Sequence, residues 1–207
     1  MAHDHGTDPL DQKQVLHHYL RLQRQALESK LDGLDEYDLR RPMTPTATNL
    51  LGLVKHVASV QLEYFGSVFD RKSPREPLPW YADDDTDPDG DMYVRPGETT
   101  AEILDLWNHS AENSDATIDA LDLDSIGNVP WWGDRSRVTL QQILVHMGTE
   151  TARHAGHADI IRELIDGAAG LLPNATNLPG DRDAAGWAAY RAKVEELAVA
   201  AGGRSAG

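Results

Sequence analysis

The stretch "TLQQILVHMGTETARHAGHADIIRELIDG", residues 139–167, predicts one long amphipathic helix and, with it, the class of fold. Its apolar residues recur mostly at intervals of three and four, which is the spacing of one face of an α-helix. Thr139 offers a hydroxyl oxygen that can cap the first turn, and Gly167 follows the last periodic residue, as is typical of helix ends. The apolar positions are Leu140, Ile143, Leu144, Met147, Ile160, Ile161, Leu164 and Ile165.

Four further segments carry helical spacing or composition. Between the second and third of them, residues 71–98 are too rich in Pro, Gly and Asp for regular structure and predict a long loop of the kind that is often functional. No segment shows a strand pattern. We therefore predict an all-α fold, an antiparallel four-helix bundle with a long loop between helices two and three and an extra C-terminal helix. Besides 139–167, the predicted helices cover residues 11–34, 48–69, 99–121 and 183–200.

The length of the chain limits the number of domains it can form, and its charge limits the kinds of partner it can bind. The 207 residues predict a single domain over 1–207, with a core at 11–167 and a C-terminal extension at 168–207. A net charge of −15 disfavours nucleic acid and anionic lipid as partners. No apolar run approaches the roughly 20 residues that span a bilayer, and the first residues lack the pattern of a signal peptide. We expect a cytoplasmic protein that binds neither membranes nor nucleic acid.

The chain contains no cysteine. This excludes disulfides, thiolate metal ligands and cysteine nucleophiles together. Any metal ion must therefore be held by His, Asp or Glu, and any thiol that takes part in a reaction must be supplied from outside.

Glu150 and His154 lie four residues apart on the predicted helix, so their side chains share one face and can converge on one ion. Two side chains seldom make a tight divalent site, and a third ligand must come from elsewhere in the fold. His56 is the best candidate, because an unpaired imidazole beside Leu53 and Val57 would be costly to bury. The competing interpretation is an ordinary side-chain pair on an exposed helix face.

His146 and His157 flank this pair. His146 lies one turn before Glu150, where it can serve as a fourth ligand, support a ligand through a hydrogen bond, or act as a general base. His157 lies just past His154 and can support a ligand or line a pocket. Either histidine is a candidate to move a proton during catalysis.

Two of the longest segments resemble the DinB/YfiT-like superfamily of helical bundles. "HMGTETARHAGHADIIRELIDG" is similar to the last bundle helix of that superfamily, where members often carry an HXXXHRGQ-like segment. "TATNLLGLVKHVASVQLEYFG" is similar to its second helix, which carries a third histidine. Glu150 stands at the first histidine position, His154 at the second and His157 at the glutamine position, while His56 matches the second-helix histidine.

The closer resemblance is to the actinobacterial branch associated with mycothiol-dependent enzymes, in which a His, Glu, His set binds the metal. It also covers "VPWWGDRSRVTLQQILVHM" and the acidic "DDDTDPDGDMYV" loop, so it extends over about 46–167. The resemblance implies that His56, Glu150 and His154 bind a divalent ion. Zinc is the first candidate, but nickel, iron and manganese accept the same donors. The anionic Glu150 would make the ion a milder Lewis acid than an all-histidine site.

The resemblance implies a metal-dependent thiol S-transferase. A divalent ion with a vacant position favours the thiolate form of a thiol, here mycothiol or another small thiol. The thiolate would attack an electrophile such as an alkyl halide, an epoxide or an activated alkene. The alternatives are a non-catalytic metal-binding bundle that acts in stress response or interaction, and an enzyme of thiol exchange or maturation in secondary metabolism.

Recognition of a sugar-bearing thiol and its electrophile calls for polar groups and aromatic platforms around the ion. The competing interpretation of each aromatic is a packing residue, and that of Arg153 is an ion pair on the helix surface. A homodimer is compatible with a bundle, although no residue indicates one. The candidate substrate-binding residues are Arg153, Trp80, Trp131, Trp132 and Tyr64.

Overall fold

Helices make up most of the structure, which confirms the predicted all-α class. The computed structural model describes residues 11–82, 87–180 and 182–202. Within this part of the chain, no helix is both long and apolar enough to cross a membrane. The elements are α1 (Gln12–Glu28), α2 (Glu36–Arg40), α3 (Leu50–Phe65), α4 (Thr100–Ala120), β1 (Ile126–Asn128), β2 (Arg137–Thr139), α5 (Leu140–Asp166) and α6 (Ala184–Gly202).

Side-chain caps fix where the long helices begin. The side chains of Asp11, Asn49, Thr99 and Thr139 each accept a backbone N–H from the first turn of α1, α3, α4 and α5. Helix α5 ends at Gly167, whose φ of 81° is the left-handed conformation that glycine adopts without strain. Helices α1 and α3 end earlier than predicted, at residues 28 and 65, and each is followed by a short 3-10 turn.

Helices α3 and α5 run in opposite directions along one another. Near the start of α3, the His56 ring lies 5.0 Å from that of His154, which is well along α5. Near the end of α3, the Tyr64 ring lies 4.8 Å from that of His146, close to the start of α5. His56 and Tyr64 of α3 therefore face His154 and His146 of α5, respectively.

Helices α3 and α4 run in the same direction, and this explains the length of the loop between them. Lys55 contacts Glu98, just before α4, whereas Gln61 donates to Ser110 farther along α4. The chain must therefore return along the whole of α3, about 24 Å for its length, before α4 begins. Long crossover connections of this kind are a known variant of helical bundles.

Two apolar clusters fill the space between the helices, and a polar network lies between them. Leu20 belongs to one cluster and Leu27 to the other, with Arg24 between them on α1. Arg24 donates to Gln61 at 2.6 Å and to Asp115 at 2.5 Å. Buried polar groups are tolerated when they are paired in this way.

A two-stranded hairpin precedes α5, so the prediction of no strands was wrong. Strands β1 and β2 pair in antiparallel register, with Gly127 opposite Val138. Each strand has only three residues, which is too short for an alternating pattern to stand out. The turn between its strands carries Trp131 and Trp132, whose rings both lie close to that of Tyr64 on α3.

The described chain divides into two compact units, one ending at Ala175 and the other beginning at Thr176. The second unit contains α6, where the Arg182 guanidinium lies over the rings of Trp187 and Tyr190. The single domain over 1–207 stays a prediction.

Candidate metal centre

His56 on α3 and Glu150 and His154 on α5 direct their side chains toward one another. Each offers one ligand atom, and the three atoms lie within 4.8 Å of one another. Glu150 Oε1 is 3.0 Å from Nε2 of His154 and 3.4 Å from Nε2 of His56. The four-residue spacing on α5 stacks two of the donors, and the packing of α3 on α5 supplies the third.

The electrostatics of the three groups favour the protonation states of metal ligands at Glu150 and His154. Burial and the nearby His56 lower the pKa of His154, so its imidazole is neutral at pH 7. Burial alone would raise the pKa of Glu150, but the two histidines outweigh it and hold that pKa below its usual value. Metal binding requires a neutral imidazole and an ionised carboxylate.

The donor set fits a divalent cation. Two imidazoles and one carboxylate match the ligands that zinc and related ions take in catalytic sites with open positions. The side chain of His154 is largely buried, and its Nδ1 has no hydrogen-bond partner among the described residues.

Asp91, in the long loop, contacts this centre, and the sequence analysis did not predict it as a site residue. Its Oδ2 lies 2.7 Å from Nδ1 of His56 and accepts a hydrogen bond of 2.7 Å from the Tyr81 hydroxyl. Burial alone would raise the pKa of Asp91, but these hydrogen bonds hold it below the usual value. Burial alone would lower the pKa of His56, but Asp91 and Glu150 raise it.

Four predicted residues form an aromatic cluster beside the three donors. Tyr64 lies in its middle, with ring centroids 5.5 Å from Trp131, 5.8 Å from Trp132 and 4.8 Å from His146. The Trp131 indole donates to the Tyr64 hydroxyl, and 53% of Trp131 is exposed. Because His146 is one helical turn before Glu150, this cluster lies about one turn of α5 from the donors.

The remaining predicted residues differ in their surroundings. The His157 ring lies 5.3 Å from that of His154. Trp80 is buried, lies over the Lys55 ammonium at 3.9 Å and donates to Ser59. These contacts are compatible with a packing role, and substrate binding by Trp80 stays a prediction. Arg153 is exposed and forms no hydrogen bond or ion pair with any described residue.

Glu63 is a second acidic residue that sequence reasoning missed. Burial, together with the carboxylates of Glu76 and Asp91, raises the pKa of Glu63 to about 7. It lies seven residues after His56, hence on the same face of α3. An acidic residue in a helix usually indicates a solvated face, so only the spacing from His56 could have drawn attention to it.

Comparisons with known proteins place the chain in a family. The family model described as Mycothiol-S-transferase matches residues 15–167. This range contains His56, Asp91, Glu150, His154 and the aromatic cluster. A comparison with curated proteins gave no match. Because the family model covers well over half of the chain, this protein belongs to the mycothiol S-transferase family.

Proposed function

We propose that this protein transfers a small thiol, mycothiol in the first instance, to an electrophilic substrate with the help of a divalent metal ion held by His56, Glu150 and His154. The observation that carries the proposal is the convergence of these three donors from two helices in a chain of the mycothiol S-transferase family. Zinc is the first candidate, and nickel, iron and manganese accept the same donors.

The chemistry requires a sulfur nucleophile that the chain lacks, since it has no cysteine. A divalent ion, when bound, lowers the pKa of a thiol and so increases the fraction of thiolate at neutral pH. The sulfur forms a bond to the electrophilic carbon. The displaced electron pair leaves with a halide, or moves to the oxygen of an epoxide or the neighbouring carbon of an activated alkene.

Two histidines beside the donors are candidates to accept the thiol proton. Burial lowers the pKa of His146, so it is neutral at pH 7 and able to act as a base. His157 is adjacent to the ring of His154. We propose both as proton carriers, with the choice between them open to single substitutions at each position.

The aromatic cluster is the proposed wall for the substrates. The half-exposed indole of Trp131, backed by Tyr64 and Trp132, offers a flat apolar surface next to the donors. Such a surface suits the apolar face of a sugar or the carbon skeleton of an electrophile. Trp80 is buried and Arg153 is exposed, and a role of either residue in substrate binding stays a prediction.

A conjugation assay tests the function. Purified protein is mixed with mycothiol, zinc and monochlorobimane, and the fluorescent conjugate is followed over time. We expect conjugation that zinc stimulates in the parent protein and that is lost when His56, Glu150 and His154 are all replaced by alanine. Glu163→Ala, an exposed residue of the same helix, is the matched control and should behave as the parent.

Elemental analysis of the same samples separates the alternatives. Metal in the parent without conjugation of any small thiol would favour the non-catalytic binding protein. Equal metal content in the parent and the triple variant would contradict the proposed ligands. Cytoplasmic location, the lack of nucleic acid and membrane partners, and a homodimer stay predictions.

A further inference from the structure

We infer that Asp91 is a positioning residue that holds His56 in place for metal binding, and that the loop segment 90–93 docks on α3 to bring Asp91 there. The inference deepens the proposed function and rests on it, because His56 is one of the three proposed ligands. It assigns a task to the long acidic loop, which no spacing of residues in the sequence indicates.

The contact between Asp91 and His56 fixes which imidazole nitrogen faces the other donors. An ionised carboxylate only accepts hydrogen bonds, so Nδ1 of His56 carries the proton that points to Asp91 at 2.7 Å. The other nitrogen, Nε2, then points toward Glu150. Carboxylates that accept from the far nitrogen of a metal-binding histidine orient the ring and increase its basicity.

The Asp91 carboxylate is itself held in place. It is 7% exposed, and its Oδ2 accepts from the Tyr81 hydroxyl as well as from His56. A surface aspartate would instead exchange between water and its partners. The His56 ring therefore donates its hydrogen bond to a carboxylate whose position is fixed.

Every residue of segment 90–93 is held by the first half of α3. Lys55 Nζ donates to the carbonyl oxygens of Gly90 at 2.7 Å and Tyr93 at 2.9 Å. Asn49 Nδ2 donates to the carbonyl oxygen of Met92 at 3.2 Å. Asp91 binds His56, the neighbour of Lys55 in the sequence. Two adjacent residues of α3 thus hold the segment, one by its backbone and one by its carboxylate.

Gly52 makes the close approach of this segment possible. A Cβ atom at Gly52 would lie 1.9 Å from the carbonyl oxygen of Met92, which is far inside van der Waals contact. Any larger residue would push the segment away from α3. The absence of a side chain at Gly52 and the burial of Lys55 are two independent features of α3. Both favour the conformation in which segment 90–93 packs on α3.

The test compares zinc affinity in full-length Asp91→Asn and Asp89→Asn. Both variants remove one carboxylate from the same loop, but Asp89 is exposed and its side chain makes no contact with His56. Zinc dissociation constants are measured by competition with a chromophoric chelator. We expect zinc to bind about 10–100-fold more weakly to Asp91→Asn, the range found when such supporting groups are removed. Asp89→Asn should match the parent.

Two further measurements distinguish positioning from a general loss of structure. The visible absorption spectrum of the cobalt-loaded protein reports ligand geometry and should change in Asp91→Asn. The melting temperature of metal-free Asp91→Asn should match that of the metal-free parent if the fold is retained. Tyr81→Phe keeps the Asp91 carboxylate but removes one hydrogen bond to it. It should bind zinc with an affinity between those of the parent and Asp91→Asn, and it provides the test if Asp91→Asn does not fold.

Each outcome is decisive. If Asp91→Asn binds zinc as tightly as the parent does, this inference is overturned and the proposed function stands. If Asp91→Asn does not fold, the same conclusion follows when Tyr81→Phe binds zinc as tightly as the parent. A parent that binds no divalent metal would overturn both. If zinc binding is weakened as much in Asp89→Asn as in Asp91→Asn, the cause is the charge of the loop in general. That result would also overturn the positioning role of Asp91.

Discussion

Lys55 is one of the large side chains without solvent exposure, and at the scale of single residues it carries the clearest energetic prediction. Its ammonium group pairs with Glu98 at 2.7 Å as well as with the two loop carbonyls. Lys55→Met keeps the apolar stem but leaves the Glu98 carboxylate and both carbonyls without their donor. We expect a loss of about 3 kcal/mol in the free energy of unfolding, measured by urea denaturation.

The matched control is Lys72→Met, which removes an exposed lysine. It should change the free energy of unfolding by less than about 0.5 kcal/mol. Similar losses in the two variants would contradict the structural role of the Lys55 ammonium.

Glu63 makes a prediction about pH. Its pKa is raised from 4.5 to about 7 in the folded protein, so between these values the folded state binds more protons than the unfolded state. Stability from this group is therefore lost as the pH rises from about 4.5 to 7. Glu63→Gln, a mimic of the neutral acid, should be more stable than the parent at pH 8, by on the order of 1–2 kcal/mol after allowance for solvent screening.

At pH 4 the same substitution should have little effect, because the parent carboxyl is then protonated in both states. Urea unfolding at pH 4 and pH 8 measures the difference. Glu112→Gln, an exposed position on α4, serves as the control and should show no such dependence. A constant difference between Glu63→Gln and the parent across this range would contradict the raised pKa.

Helical spacing and the apolar surroundings of His56 made the three donors candidates, and the family resemblance favoured them over an ordinary side-chain pair. The structure brings the three donors together. The same reasoning could not find Asp91, Tyr81 or Glu63. Asp91 reaches His56 only through a loop whose path depends on contacts with α3, and such contacts leave no periodic pattern. The raised pKa of Glu63 depends first on its burial and then on the carboxylates of Glu76 and Asp91, which are likewise set by tertiary packing.

Helix caps carry the prediction at the scale of elements. At the start of α4, Thr99 accepts the N–H of Glu102, and the Glu102 side chain accepts the N–H of Thr99. Thr99→Ala removes half of this capping box and should cost about 1 kcal/mol in the free energy of unfolding. Thr149→Ala, an exposed position within α5, is the control. A loss in Thr149→Ala as large as that in Thr99→Ala would contradict the assignment.

The long helices were predictable as elements because three or more turns of periodic apolar residues leave little alternative. The ends of these helices were less predictable. The prediction extended α1 through Leu31 and Leu34, where the chain already forms a 3-10 turn followed by a hydrogen-bonded turn. Short elements were missed altogether. Helix α2 has five residues and each strand of the hairpin three, too few for periodicity to distinguish them from a turn.

At the scale of the whole molecule, the boundary of the first unit can be tested by truncation. Lys30 Nζ donates to the carbonyl oxygens of Gly170 and Leu171, and Leu172 packs against the core. A chain ending at residue 175 keeps these contacts, whereas one ending at 167, the boundary predicted from sequence, loses them. We expect the shorter chain to be less stable than the longer by about 1–3 kcal/mol.

Thermal and urea unfolding of the two truncated chains measure this difference, with zinc binding as a second readout. The longer chain should retain zinc affinity, because the proposed ligands and Asp91 all precede residue 175. Equal stability of the two truncated chains would show that residues 168–175 contribute nothing to the first unit.

The adjacency of Lys55 and His56 has a consequence for protein engineering. Lys55 binds the backbone of the loop and His56 binds the carboxylate of Asp91. The loop and helix α3 therefore cannot be replaced independently of each other. A chimera that grafts this loop from a relative would have to carry Asn49, Gly52, Lys55 and His56 with it, and any shortening would have to spare Tyr81 and residues 90–98.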